Sequence, residues 1–160
     1  MGTRGAYGFS KNNVRKVAYN QLKSYPKGLG VKIVKFINST SIKEMNDIFD
    51  RIIMVDEYPK PTKEEIEKCI DYAEVSITDG EIDSWYFLLR ASQGNLNAYK
   101  EGLKYMIYLG DCNEEWNYII NLDTNCLDVF CDWSKKARTS IPLEDVTEGI
   151  MWDLHDKTYN

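Results

Sequence analysis

Residues 4–20 constrain the fold more than any other stretch. Two short runs rich in aromatic and β-branched side chains, Arg4–Ser10 and Val14–Asn20, flank Lys11-Asn12-Asn13. Asn tolerates the positive φ that tight hairpin turns need, so this pattern specifies a β-hairpin. Gly5 and Gly8 fall inside the first strand. A glycine there costs stability and marks the close approach of another backbone or of a ligand. The second strand runs out into Ser24-Tyr25-Pro26-Lys27-Gly28, whose Pro and Gly punctuate a loop.

A second hairpin lies near the other end. Trp116, Tyr118, Ile120 and Leu122 alternate in the strand manner, Asp123-Thr124-Asn125 turns the chain, and Cys126 to Trp133 returns with Leu127, Val129 and Cys131 alternating. Between the hairpins the apolar period is helical. Leu29, Ile33, Phe36 and Ile37 share one face of a segment over 29–38. Ser41 with Glu44, and Thr62 with Glu65, have capping-box spacing and start helices over Ile42–Val55 and Lys63–Ala73. The first of these is expected to bury Ile42, Met45, Ile48, Phe49, Ile52 and Ile53. Asp79-Gly80 signals a turn, and Asp83 or Ser84 caps a short aromatic helix over Trp85–Ala91. Asn97–Leu109 reads as a further helix stopped by Gly110, Lys135, Lys136 and Arg138 as a loop, Ile141–Leu143 as a short strand, and 143–157 as a weak helix.

Two hairpins, each marginal alone, become stable when joined. The expected fold is therefore α+β. The N- and C-terminal β-hairpins combine into one antiparallel, four-stranded sheet covered by four or five central helices, in a single domain over 1–160. A hydrophobic content of 43% and a mean hydropathy of −0.47 suit a globular chain with its own core. No run approaches the ~20 apolar residues that cross a bilayer, and no export signal is visible. The expected location is the cytoplasm, with Cys69, Cys112, Cys126 and Cys131 as free thiols and no membrane partner.

Charge is divided unevenly: residues 1–40 carry +8, residues 41–83 carry −8, and residues 84–160 carry −5. Such asymmetry fits an anionic ligand at the first segment or a basic partner at the second; equally, the two complement each other on one surface.

The opening stretch, TRGAYGF, then YN, then SYPKGLG, resembles the start of a group of small bacteriophage and prophage proteins of Gram-positive bacteria that share a TRGxYGF…YNHFDSYPxGLG pattern. Gln21, Leu22 and Lys23 stand where that pattern has His, Phe and Asp. The group has no established activity, so the resemblance implies a viral or prophage origin rather than a reaction.

Several chemistries find little in the residues. The chain has one histidine, His155, and no zinc-ligand spacing. Asp123, Thr124, Asn125 and Asp128 lack the length and closing Glu of a calcium loop. No metal or other cofactor is implied. An N-terminal nucleophile needs Ser, Thr or Cys at the mature terminus, and Thr3 lies one residue too far in. Phosphate binding has more support. Arg4, Arg15, Lys16, Lys23 and Lys27 are interleaved with Tyr7, Tyr19 and Tyr25, and Asn20 lies among them. Cations of this kind hold phosphates and aromatic faces stack on bases. Because strand side chains alternate, only half of these can share a face.

Three roles follow. The leading one is a non-enzymatic phage or prophage accessory protein that binds and inhibits a host protein or nucleoprotein, for instance a defence nuclease such as a CRISPR effector, or its nucleotide signal. Its partner-binding face would be acidic: Glu44, Asp47, Asp50, Glu64, Glu67 and Asp71. The alternative is a small hydrolase or nucleotide-binding enzyme with its site on the basic hairpin at Arg4, Tyr7, Arg15, Lys16, Tyr19, Asn20 and Tyr25. The third is an assembly module acting through contacts between copies.

Overall fold

A computed structural model describes residues 3–74, 82–110, 114–131 and 136–159 of the chain. Strands β1 (Gly5–Lys11) and β2 (Val14–Asn20) form the first hairpin; Asn12 and Asn13 take φ of 52° and 65° at its turn. Gly8 sits against backbone, and Gly5 against the Ser24 side chain and backbone. A Cβ on Gly8, whose φ is +154°, would collide with the carbonyl of Lys16, and one on Gly5 would lie 2.8 Å from the carbonyl oxygen of Trp116. Pro26–Gly30 forms a π-helical turn that runs into helix α1 (Val31–Asn38), which buries Ile33, Val34, Phe36 and Ile37. Ser41 accepts from the Glu44 backbone N–H to start α2 (Ile42–Arg51). Thr62 and Glu65 make both bonds of a capping box ahead of α3 (Lys63–Cys69).

The middle of the chain departs from its helical reading. Helix α2 stops at Arg51, and Ile53–Val55 is strand β3. Ile42 and Ile53, expected inside, are exposed. The helix expected over 97–109 is one turn, α5 (Asn97–Lys100), after the one-turn α4 (Trp85–Leu88) capped by Ser84. Gly102 then breaks the chain at φ +121°, and Tyr105–Ile107 is strand β4, paired in parallel with β3. Both misread segments are short apolar runs, which look alike as strand or buried helix until a partner strand is present. The Asp79-Gly80 turn and Lys135 lie outside the described residues.

The main sheet has the order β2-β1-β5-β6-β7, with β5 at Trp116–Asn121, β6 at Cys126–Cys131 and β7 at Lys136–Pro142. It has five strands and is mostly antiparallel, so the molecule is mixed α/β with six helices among the described residues. The expected all-antiparallel, four-stranded sheet is corrected on two counts. Strands β1 and β5 run parallel, with Gly5 opposite Trp116 and Phe9 opposite Ile120. The sheet also gains β7, which takes in Lys136 and Arg138 from the expected loop and the expected short strand at 141–143 as far as Pro142. A parallel pair requires a crossover connection, and the central helices supply it between β2 and β5.

One face of the sheet is apolar across its width: Tyr7 and Phe9, Ala18, Trp116, Tyr118 and Ile120, then Leu127, Val129 and Cys131 are all buried. The π-helical turn packs here, under the last helix, α6 (Glu148–Tyr159). A Cβ on Gly30 would lie 2.8 Å from Met151 Sδ and 3.2 Å from the Tyr118 ring, so only glycine lets the turn pass between strand and helix. No helix of the described residues is long and apolar enough to cross a membrane.

Candidate functional site

The opening motif ties the sheet to the turn behind it. Asn20 Nδ2 donates to the Leu22 carbonyl at 2.7 Å and to Ser24 Oγ at 2.8 Å; the Ser24 backbone N–H donates to the Thr3 carbonyl at 3.0 Å, and Tyr118 donates to the Ser24 carbonyl at 2.7 Å. Tyr25 meets the His155 ring edge-on at 5.3 Å. Tyr7 is fully buried, donates to the Ser92 carbonyl and accepts from the Gly94 N–H at 2.8 Å. Burial pushes its phenol far above the usual tyrosine range. Tyr7, Asn20 and Tyr25, among the candidate ligand residues, are thus bonded or packed within the fold.

The hairpin's cations share no common face. Arg4, Arg15 and Tyr19 lie on one side of the sheet, Tyr7, Lys16 and Asn20 on the other. Arg15 is exposed near the turn, over Phe130 at 5.8 Å. It is four residues along the strand from Tyr19, about 13 Å. Lys16 donates to the carbonyls of Phe49 at 2.6 Å and Ile52 at 2.9 Å, at the C-terminal end of α2, and lies 4.4 Å from the Phe49 ring centroid. Lys11 pairs with Asp50 at 3.5 Å, and Lys27 with Asp156 at 3.0 Å. Farther along the chain, Lys100 donates to the Ser39 carbonyl beyond α1 and Arg51 to the Tyr99 carbonyl in α5. Cations at helix C-termini satisfy carbonyls that have no partner inside the helix and oppose the helix dipole. Lys16→Met should therefore lower unfolding free energy by about 1.5–3 kcal/mol, the usual worth of hydrogen bonds to a charged group. A urea midpoint equal to that of the parent protein would show instead that the ammonium is dispensable to the fold.

Arg4 and Tyr19 do meet, at the end of the sheet. The guanidinium bonds the Tyr19 hydroxyl, opposing the rise that burial imposes on that phenol. Tyr19 also donates to Gln21 Oε1 at 2.6 Å, and Gln93 Oε1 accepts from both the Gln21 backbone N–H and Arg90. Nearby, buried Glu114 accepts from Tyr108 at 2.6 Å. These partners had no sequence signal, since they come from four separate segments. The cavity beneath, lined by Tyr7, Tyr19, Tyr86 and Gln93 among others, holds about 10 Å³. That is room for one water at most.

The acidic candidates are placed differently. Glu44, Asp47 and Asp50 are exposed along α2, three residues apart, and Glu64, Glu67 and Asp71 are exposed along α3 and the turn after it. Asp50 pairs with Lys11 and Glu64 with Lys68, whereas Glu44, Asp47, Glu67 and Asp71 have no Lys or Arg within 4 Å among the described residues. Cys69 and Cys126 are free thiols; Cys112 lies outside the described residues. Among those residues no three His, Cys, Asp or Glu side chains converge as metal ligands would. In comparisons with protein-family models, curated proteins and solved structures, none matches this chain.

Proposed function

We propose that this chain is a non-enzymatic binding protein, a phage or prophage accessory factor that docks onto a basic surface of a host macromolecule and blocks it. The observation that supports this most is that exposed Glu44, Asp47 and Glu67 on α2 and α3 make no ion pair within 4 Å among the described residues. Such surfaces steer association with a basic partner and set its specificity. A nucleic-acid-binding groove on a defence nuclease has the matching charge.

Reversing two exposed charges tests the reading. Glu44→Lys combined with Asp47→Lys should cost about 1–2 kcal/mol, because Glu44 sits in the first turn of α2 where a cation opposes the helix dipole, and should leave the fold in place. The same variant should weaken capture of a basic host protein by about tenfold or more, with capture by the parent chain falling steeply as salt rises. Equal capture by parent and variant, or turnover of a nucleotide or amide substrate, would overturn the proposal.

A further inference from the structure

A cleft opens between α3 and the turn after α5. It encloses about 260 Å³, and Lys68, Asp71, Tyr72, Glu101, Lys104 and Tyr105 line it. This lies below the ~300–1,000 Å³ typical of sites for whole small molecules, so its size suits a single side chain. Gly102, at the turn, has open space where a Cβ would sit.

The lining carries two lysines and two carboxylates, and Glu64 and Glu65 beside it bring the local balance to the acidic side. Lys68 is engaged by Glu64 at 3.2 Å, and Lys104 lies over the Tyr105 ring at 5.8 Å. Glu65 adds a further carboxylate, bonded to Tyr105 and to the Thr62 N–H. At the other side, burial pushes the Tyr72 phenol up, and the nearby charges of Glu101 and Asp71 add to it. Neither has a Lys or Arg within 4 Å among the described residues. An aromatic ring flanked by two unpaired carboxylates at the wall of a small cleft suits a flat cation. Arginine fits best, because its guanidinium is planar, weakly hydrated, able to bond carboxylates in pairs and able to stack on an aromatic face.

We propose that this cleft receives an arginine side chain of the basic partner, with Asp71 and Glu101 holding the guanidinium against Tyr72. The assignment rests on the reading of an acidic docking surface, and it names the group that would anchor the partner there.

The probe is a short capped arginine peptide, compared with the same peptide carrying citrulline, the neutral isostere. Binding is followed through the backbone amide resonances of Gly102 and Tyr105. Saturable shifts are expected with the arginine peptide, and about tenfold weaker ones or none with citrulline. Asp71→Asn combined with Glu101→Gln, two exposed isosteric changes, should abolish the arginine response while leaving the rest of the spectrum in place. Equal responses to the two peptides, an undiminished response in the double variant, or unmoved Gly102 and Tyr105 amides would each overturn the assignment. Failure here is separable from failure of the docking surface. If capture of the basic partner depends on Glu44 and Asp47 but the peptide leaves Gly102 unmoved, only the cleft assignment falls. Arginine-specific shifts without charge-dependent capture would mean the reverse.

Discussion

Tyr7→Ala should be among the most damaging single substitutions in this protein, costing about 3–5 kcal/mol, the usual range for truncating a large buried aromatic. The ring is 1% exposed on the apolar face of β1. Its hydroxyl also accepts from the Gly94 N–H and donates to the Ser92 carbonyl, so truncation leaves backbone groups buried without partners. At about 2–4 °C per kcal/mol for a chain of this size, the melting temperature should fall by roughly 6–20 °C. Tyr7→Phe keeps the ring and should cost about 1–3 kcal/mol, the penalty for the orphaned groups alone. If Tyr7→Ala melts within a few degrees of the parent protein, the hydroxyl and ring are available to a ligand and the structural role assigned here is wrong.

Alkaline pH should unfold the protein cooperatively. Tyr7, Tyr99 and Tyr118 are almost wholly buried, and desolvation holds each phenol above the ordinary value of 10.0. The folded state keeps these protons where the unfolded chain releases them. Stability from this source is therefore whole below pH 10 and is lost as pH rises beyond it. Each group contributes a slope of about 1.4 kcal/mol per pH unit, so the three together give about 4 kcal/mol per unit. Against a total stability of about 5–15 kcal/mol, a loss on this scale should unfold the chain as pH rises above 10. Phenolate absorbance and circular dichroism recorded together provide the check. Loss of secondary structure should coincide with ionisation of these phenols. Their titration near pH 10 in a chain that stays folded would contradict the packing described.

Features set by neighbours in sequence were legible before any coordinates. Asn12, Asn13 and Asn125 all take positive φ at the two hairpin turns. Ser41, Thr62 and Ser84 each accept a backbone N–H three residues on, because a cap requires only its own helix. The exposure of Glu44, Asp47 and Asp50 followed from helical period in the same way. Gly5 and Gly8 announced close approaches, which the Ser24 side chain and neighbouring backbone make at Gly5 and the Lys16 backbone makes at Gly8.

What the sequence by itself determined was local: the two hairpins, the helix starts and the solvated acidic faces, since turn chemistry and side-chain periodicity act within a few residues. Tertiary structure decided the parallel join of β1 to β5, the strand identity of Ile53–Val55 and Tyr105–Ile107, and the use of each cation. Parallel strands carry no sequence record of their partner, and a three-residue apolar run becomes a strand only when another backbone offers its hydrogen bonds. Lys16 reads as one more surface charge until α2 folds back and presents two carbonyls within 3 Å of its ammonium group. The polar groups of the opening motif are in the same way matched to partners that the fold, not the chain order, brings alongside.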